Sequence, residues 1–121
     1  MSTESIRLRD IAHARSGDKG NHANVALIAY TPAGFEWLKA NVTAAVVHSY
    51  FAGLQPSSVE RFEVPNVLAL NFVLYNALAG GASRSLRIDT QGKALGLALL
   101  EMPLQLPVEL AAPMRRQPGS S

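Results

Sequence analysis

The stretch NVLALNFVLYNAL, Asn66–Leu78, reads as the longest helix of the chain. Pro65 precedes it and Gly80-Gly81 stop it, the usual punctuation of a helix. It is apolar almost all round, so it should lie deeply packed. Asn66 at its start reads as a cap. Asn71 and Asn76 stand out, because an amide inside an apolar helix must find partners or lose roughly 1–3 kcal/mol. Asn71 should bond to a neighbouring loop, or hold the polar run SGDKGN in place.

Working outward, VERFEV before it alternates as a strand, with Phe62 and Val64 one residue out of phase with Val59. Thr31-Pro32 and Thr43 read as helix caps. They open two helices, one carrying Phe35, Trp37 and Leu38, the next carrying Val46, Val47, Tyr50 and Phe51 and ending at Gly53. At the N-terminus SIRLRDIAHAR begins as a half-buried strand, with a possible bulge at Asp10-Ile11. ANVALIAY suits a buried second strand, and the two runs should pair as a hairpin with SGDKGN at its tip. Beyond Gly81, SRSLRID reads as a strand, and DTQGK as a turn. KALGLALLEMPLQL is open between a short helix running into a strand and a strand alone. From residue 107 to residue 121 the Pro-, Gly- and Ser-rich composition predicts a disordered tail, leaving residues 1–106 as one domain. Strands mixed with a few helices, without regular alternation, predict an α+β layer: a mostly antiparallel sheet with helices on one face.

A chain of 121 residues, 48% hydrophobic and 17% charged, can bury a core without staples. So few charges favour a covered face, hence an oligomer or a partner subunit. A net charge of +2 with scattered cations shows no basic stripe for nucleic acid. With no cysteine, disulfides, thiolate nucleophiles and Cys-based zinc sites are excluded. MSTESIRLRD lacks the apolar run of a signal peptide, and no segment approaches the ~20 apolar residues of a membrane span. The default location is the cytoplasm.

Two stretches carry candidate chemistry. In SGDKGN, Gly17 and Gly20 could let the backbone turn its N–H groups inward as anion-binding nests do. Lys19 adds a mobile charge, Asn21 and Asn24 add amides, and Ser16 and Asp18 complete the run. A phosphate, a carboxylate or a thioester carbonyl would suit it, while a rigid turn with solvated Asp18 and Lys19 is the structural alternative. The spacing is neither that of a Walker A loop nor that of a dinucleotide fingerprint. GGASRS repeats the recipe with Gly80, Gly81, Ser83 and the bidentate cation Arg84, the alternative being a glycine helix stop with Arg84 on the surface. His13 and His22 flank the first loop and could meet across the hairpin with Asp18. No metal-ligand spacing supports that trio, so no metal and no cofactor is assigned. His48 reads as an ordinary helix residue. Asp18 would serve as a base only if burial raised its pKa, against the pull of Lys19.

ARSGDKGNHAN, then VPNVLALNFVLYNALAGGASRSLRID, then QGKALGLALLEM resemble the C-terminal domain of the acyclic terpene utilisation (AtuA-like) proteins over roughly residues 6–104. The resemblance implies a ferredoxin-like two-layer sandwich. It also implies catabolism of acyclic terpenoids such as citronellol and geraniol through acyl-CoA intermediates. In the family this domain usually follows a large domain, so the chain is expected to be a small subunit with a separately encoded large partner. The family carries over no catalytic residue. Its motif maps to Ser16, Gly17, Asp18, Lys19, Gly20, Asn21 and Asn24, and to Asn66, Asn71, Gly80, Gly81, Ser83 and Arg84. The expected ligand is a CoA thioester or a carboxylate. The alternatives are an assembly module without chemistry and a self-sufficient enzyme on acyl-CoA thioesters. RNA binding is the weakest reading, because the aromatic signature of RNA-recognition sheets is missing.

Overall fold

The computed structural model describes residues 3–77 and 93–116. Strand β2 (Ala12–Lys19) turns into β3 (His22–Ala29) through a two-residue connection, since Lys19 pairs with His22. Gly20 takes φ +62° at the first central position, and Asn21 is not among the residues with positive φ, the pattern of a type II′ hairpin turn. The predicted hairpin is therefore present, with a shorter tip: Ser16, Gly17, Asp18 and Lys19 are laddered strand, opposite Val25, Asn24, Ala23 and His22.

Two capped helices follow. Thr31 Oγ1 accepts from the Gly34 N–H at 3.0 Å and opens α1 (Pro32–Asn41). Thr43 Oγ1 accepts from the Val46 N–H at 3.2 Å and opens α2 (Ala44–Tyr50). Phe35, Leu38 and Val47 are buried, and Trp37 is half-buried. The chain then returns as β4 (Ser58–Val64) and β5 (Ala69–Tyr75).

The sheet order is β2-β3-β5-β4, antiparallel throughout. β5 thus lies between β3 and β4, which run parallel to each other and are joined by the helical crossover, as in the split β-α-β unit of ferredoxin-like folds. The place beside β3 is taken by β2, the strand that precedes it. A helix α3 (Lys93–Leu100) packs on β2 and β3, on the same side as α1 and α2. A second, two-stranded sheet pairs β1 (Thr3–Arg7) with β6 (Pro103–Pro107).

Between helices and sheet, Val25, Leu27, Leu70, Phe72, Leu74, Leu95 and Leu99 are fully buried. Each such side chain contributes roughly 1.5–3 kcal/mol of hydrophobic stabilisation. Among the described residues no buried side-chain polar atom lacks a partner.

Four expectations change. The described part of NVLALNFVLYNAL, residues 66–77, is not a helix: a 3-10 turn, Pro65–Val67, leads into the central strand β5. Leu70, Phe72 and Leu74 face the helices while Val73 and Ala69 add apolar residues to the other face, which hides the period of two. Asn66 sits exposed in that turn with no capping bond. The phase break after Arg9 is not a bulge but a 3-10 turn, Leu8–Asp10, that moves the chain from one sheet to the other. The stretch after residue 107 is ordered at its start: α4 (Val108–Ala111) and a 3-10 turn, Ala112–Met114, bury Ala111 and Met114. KALGLALLEMPLQL resolves into α3 followed by β6. The SRSLRID strand and the DTQGK turn before Lys93 lie outside the described residues.

Candidate functional site: the open face of the sheet

Helices α1, α2 and α3 cover one face of the four-stranded sheet, and among the described residues no helix covers the other. Register places them in cross-strand rows: Gly17, Asn24, Val73 and Glu60 nearest the hairpin tip, then Arg15, Ala26, Asn71 and Phe62, then His13, Ile28, Ala69 and Val64. Phe62 is 46% exposed and Val67, in the turn after β4, 58%. Outward placement of Phe62 and Val64 explains why they were out of phase with Val59, which faces the core side.

Two motif residues meet here. Asn24 Nδ2 donates to Asn71 Oδ1 at 2.6 Å, a diagonal contact between β3 and β5. Asn71 thus finds its partner on the hairpin strand β3, and does so from a strand. The bond occupies the Asn71 carbonyl and leaves its amide N–H donors without a partner among the described residues. Beside it lies an open, largely apolar depression of about 470 Å³, lined by His13, Arg15, Ala26, Ile28, Val64, Val67, Ala69 and Asn71.

At the hairpin end a second polar group assembles. The Asn76 backbone N–H donates to His22 Nδ1 at 3.0 Å, and Asn76 Nδ2 donates to Ser57 Oγ at 2.9 Å. Asn76 adopts φ +60°, a left-handed conformation that asparagine tolerates better than most residues. The His22 ring packs edge-on against Tyr75 at 5.2 Å. The Tyr75 hydroxyl donates to the Glu60 carboxylate. That bond, with desolvation and the Glu60 charge, pushes the Tyr75 phenol above its usual value. Asn76 was legible as a residue needing partners, but its grouping with His22 and Ser57 was not, because the three come from separate strands' ends.

Other motif residues separate. Ser16 points to the helix side, where its hydroxyl accepts from the Gly96 N–H in the first turn of α3 at 3.0 Å. Gly17 is extended strand, and only Gly20 in the run has positive φ; with Ser16–Lys19 laddered to β3, the run does not form the predicted nest. The side chains of Asp18 and Lys19 lie outside what the structure describes, as do Gly80, Gly81, Ser83 and Arg84 entirely. Asn21 is exposed at the turn, and Asn66 lies before the start of β5, at the end of that strand away from the hairpin tip. His13 pairs in register with Ile28 and His22 with Lys19, so the two histidines lie at opposite ends of the hairpin. His13 stacks on Tyr30 at 5.6 Å. Among the described residues no His, Asp and Glu group is placed to hold a metal ion. His48 Nε2 meets the Pro56 carbonyl at 3.2 Å, a structural contact.

Arg15 was missed in the sequence, though its period-two spacing from His13 puts both on one face. Four other arginines are in ion pairs: Arg7 and Arg9 with Glu101, Arg61 with Glu63, and Arg115 with Glu4 and Asp10. Arg61 also donates to the Lys39 and Val42 carbonyls at 2.7 and 3.1 Å, closing the C-terminal end of α1. Arg116 lies over the Tyr30 ring at 5.8 Å.

An antiparallel sheet with helices on one face and a polar-rimmed apolar surface on the other defines a ferredoxin-like domain with an open face. The chain matches the model of the AtuA ferredoxin-like domain over residues 6–105 and belongs to that family. Neither the curated proteins nor the solved structures contain a match. No helix among the described residues is long and apolar enough to cross a membrane.

Proposed function

We propose that the chain is the small component of an AtuA-like enzyme of acyclic terpenoid and acyl-CoA catabolism, acting in the cytoplasm beside a large AtuA-like partner. Family membership over residues 6–105 carries this reading. The SGDKGN hairpin and the GGASRS segment supply its anion-binding corner, with Lys19 and Arg84 holding the charged group and Asn24 and Asn71 orienting the hairpin. The bond between those two amides supports that role for the asparagines. The test is purification of the tagged chain from its native cells, followed by acyl-CoA turnover assays with and without the co-purified partner. A stoichiometric AtuA-like protein and activity that needs both chains are expected. Turnover by the purified chain alone, or full activity with Lys19→Ala and Arg84→Ala together, overturns the reading.

Exposed Phe62, Val64 and Val67 favour a second reading, an assembly module that binds its partner or a second copy through the open face without holding a ligand. In that case Phe62→Glu abolishes the complex, and no small molecule binds the isolated chain.

A further inference from the structure

We propose that the depression on the open face binds a small molecule with one carboxylate and an apolar body, anchored by Arg15. The inference goes beyond the first reading above, which places its charged group at Lys19 and Arg84, and adds a second site with its own ligand class. Three observations carry it. Among the described arginines, Arg15 alone has neither an ion pair nor an aromatic partner, although it lines a concave surface. Among the described residues no acidic side chain lines that surface, and Glu60, on the same face, is engaged by Tyr75. The third polar group, Asn71, has its oxygen engaged by Asn24, while its N–H donors have no partner among the described residues. Arg15 can only donate, Asn71 has free donors and His13 can donate, which favours an acceptor-rich anion.

The floor and far wall, with Ile28, Ala69, Val64 and Val67, offer no hydrogen bonds and suit a hydrocarbon body. A volume of about 470 Å³ lies in the range of small-molecule sites. One guanidinium matches one carboxylate through paired N–H···O bonds. The polyphosphate of a CoA thioester would require more cations than this lining holds.

Octanoate and its neutral counterpart octanamide, titrated into the isotope-labelled full-length chain and followed by backbone amide resonances, test the proposal. Octanoate should move the resonances of residues 13–15, 26–28 and 69–71. Octanamide, and octanoate on Arg15→Gln, should bind about tenfold more weakly or worse. Val67 is well exposed, so Val67→Asp should fold normally and repel octanoate by placing a carboxylate on the wall. Equal binding of the acid and the amide, unchanged affinity in Arg15→Gln, or no response at millimolar octanoate overturns the site. That last outcome together with capture of a large AtuA-like partner leaves the small-component reading standing. Octanoate binding with no such partner does the reverse.

Discussion

Asn24 and Asn71 are 47 residues apart in the chain and joined by a 2.6 Å amide–amide bond on the open face. The bond ties the β2–β3 hairpin to the central strand diagonally, so it adds to the ladder rather than duplicating it.

A double-mutant cycle on this pair should return a coupling of about 0.5–1.5 kcal/mol, the net worth of a neutral hydrogen bond. Asn24→Ala, Asn71→Ala and the double variant, each unfolded in urea, supply the numbers. Additive losses would show that the two amides act independently.

Gly96 sits where α3 lies directly against β2, its N–H bonded to Ser16 Oγ at 3.0 Å. A Cβ there would lie 3.0 Å from Ser16 Oγ and 3.3 Å from Ala14 Cβ. Helix propensity favours Gly96→Ala by up to ~1 kcal/mol, but overpacking costs typically 1–3 kcal/mol. With neighbours on the strand side unable to retreat far, the net should be a loss of about 1 kcal/mol. The loss should shrink in a Ser16→Ala background, where the 3.0 Å contact is gone. Thermal unfolding of the four variants checks the sign.

Tyr75 should titrate above the ordinary phenol range, because ionisation breaks its hydrogen bond to Glu60, exposes the loss of its partly desolvated setting, and sets two negative charges side by side. A pKa raised in the folded state means this contribution to stability is fully present below the unfolded value. It is lost as pH rises through the folded value, so the effect appears only in alkali. Phenolate absorbance, compared between wild type and Glu60→Gln, should show one tyrosine titrating earlier in the variant. No change would remove Glu60 as the cause.

Met114 is 1% exposed, beyond the segment matched by the family. Met114→Ala should cost about 2–4 kcal/mol, as for other buried large-to-small changes. Ending the chain at Pro107 should destabilise it further, since Ala111 is buried too and the Arg115–Glu4 ion pair at 2.6 Å is also lost. Urea midpoints distinguish this from an inert tail, which would leave both variants unchanged.

Several elements were legible because their signals are local. Thr31-Pro32 and Thr43 announce α1 and α2 through capping chemistry that needs only three neighbouring residues. SGDKGN, small and polar between runs of strand character, announces the hairpin for the same reason, though not that its turn is only Gly20-Asn21. The placement of Asn71 was half legible: its need for a partner followed from its polarity, whereas the identity of that partner depended on β3 lying beside β5.

By itself, the sequence determined the α+β class, the hairpin, the two capped helices and the family motif, since each depends on periodicity or short-range hydrogen bonding. Tertiary structure alone decided that residues 65–75 become a turn and a central strand. A strand flanked on both sides, with Ala69 and Val73 on its outer face, shows a continuous apolar run, and such a run does not separate strand from buried helix. Pairing with β3 and β4 made the choice by satisfying the backbone N–H and C=O groups of β5 from both neighbours. The same sheet gathered Arg15 and His13 of β2 and Asn71 of β5 onto one face, a proximity set by register across the sheet rather than by spacing along the chain.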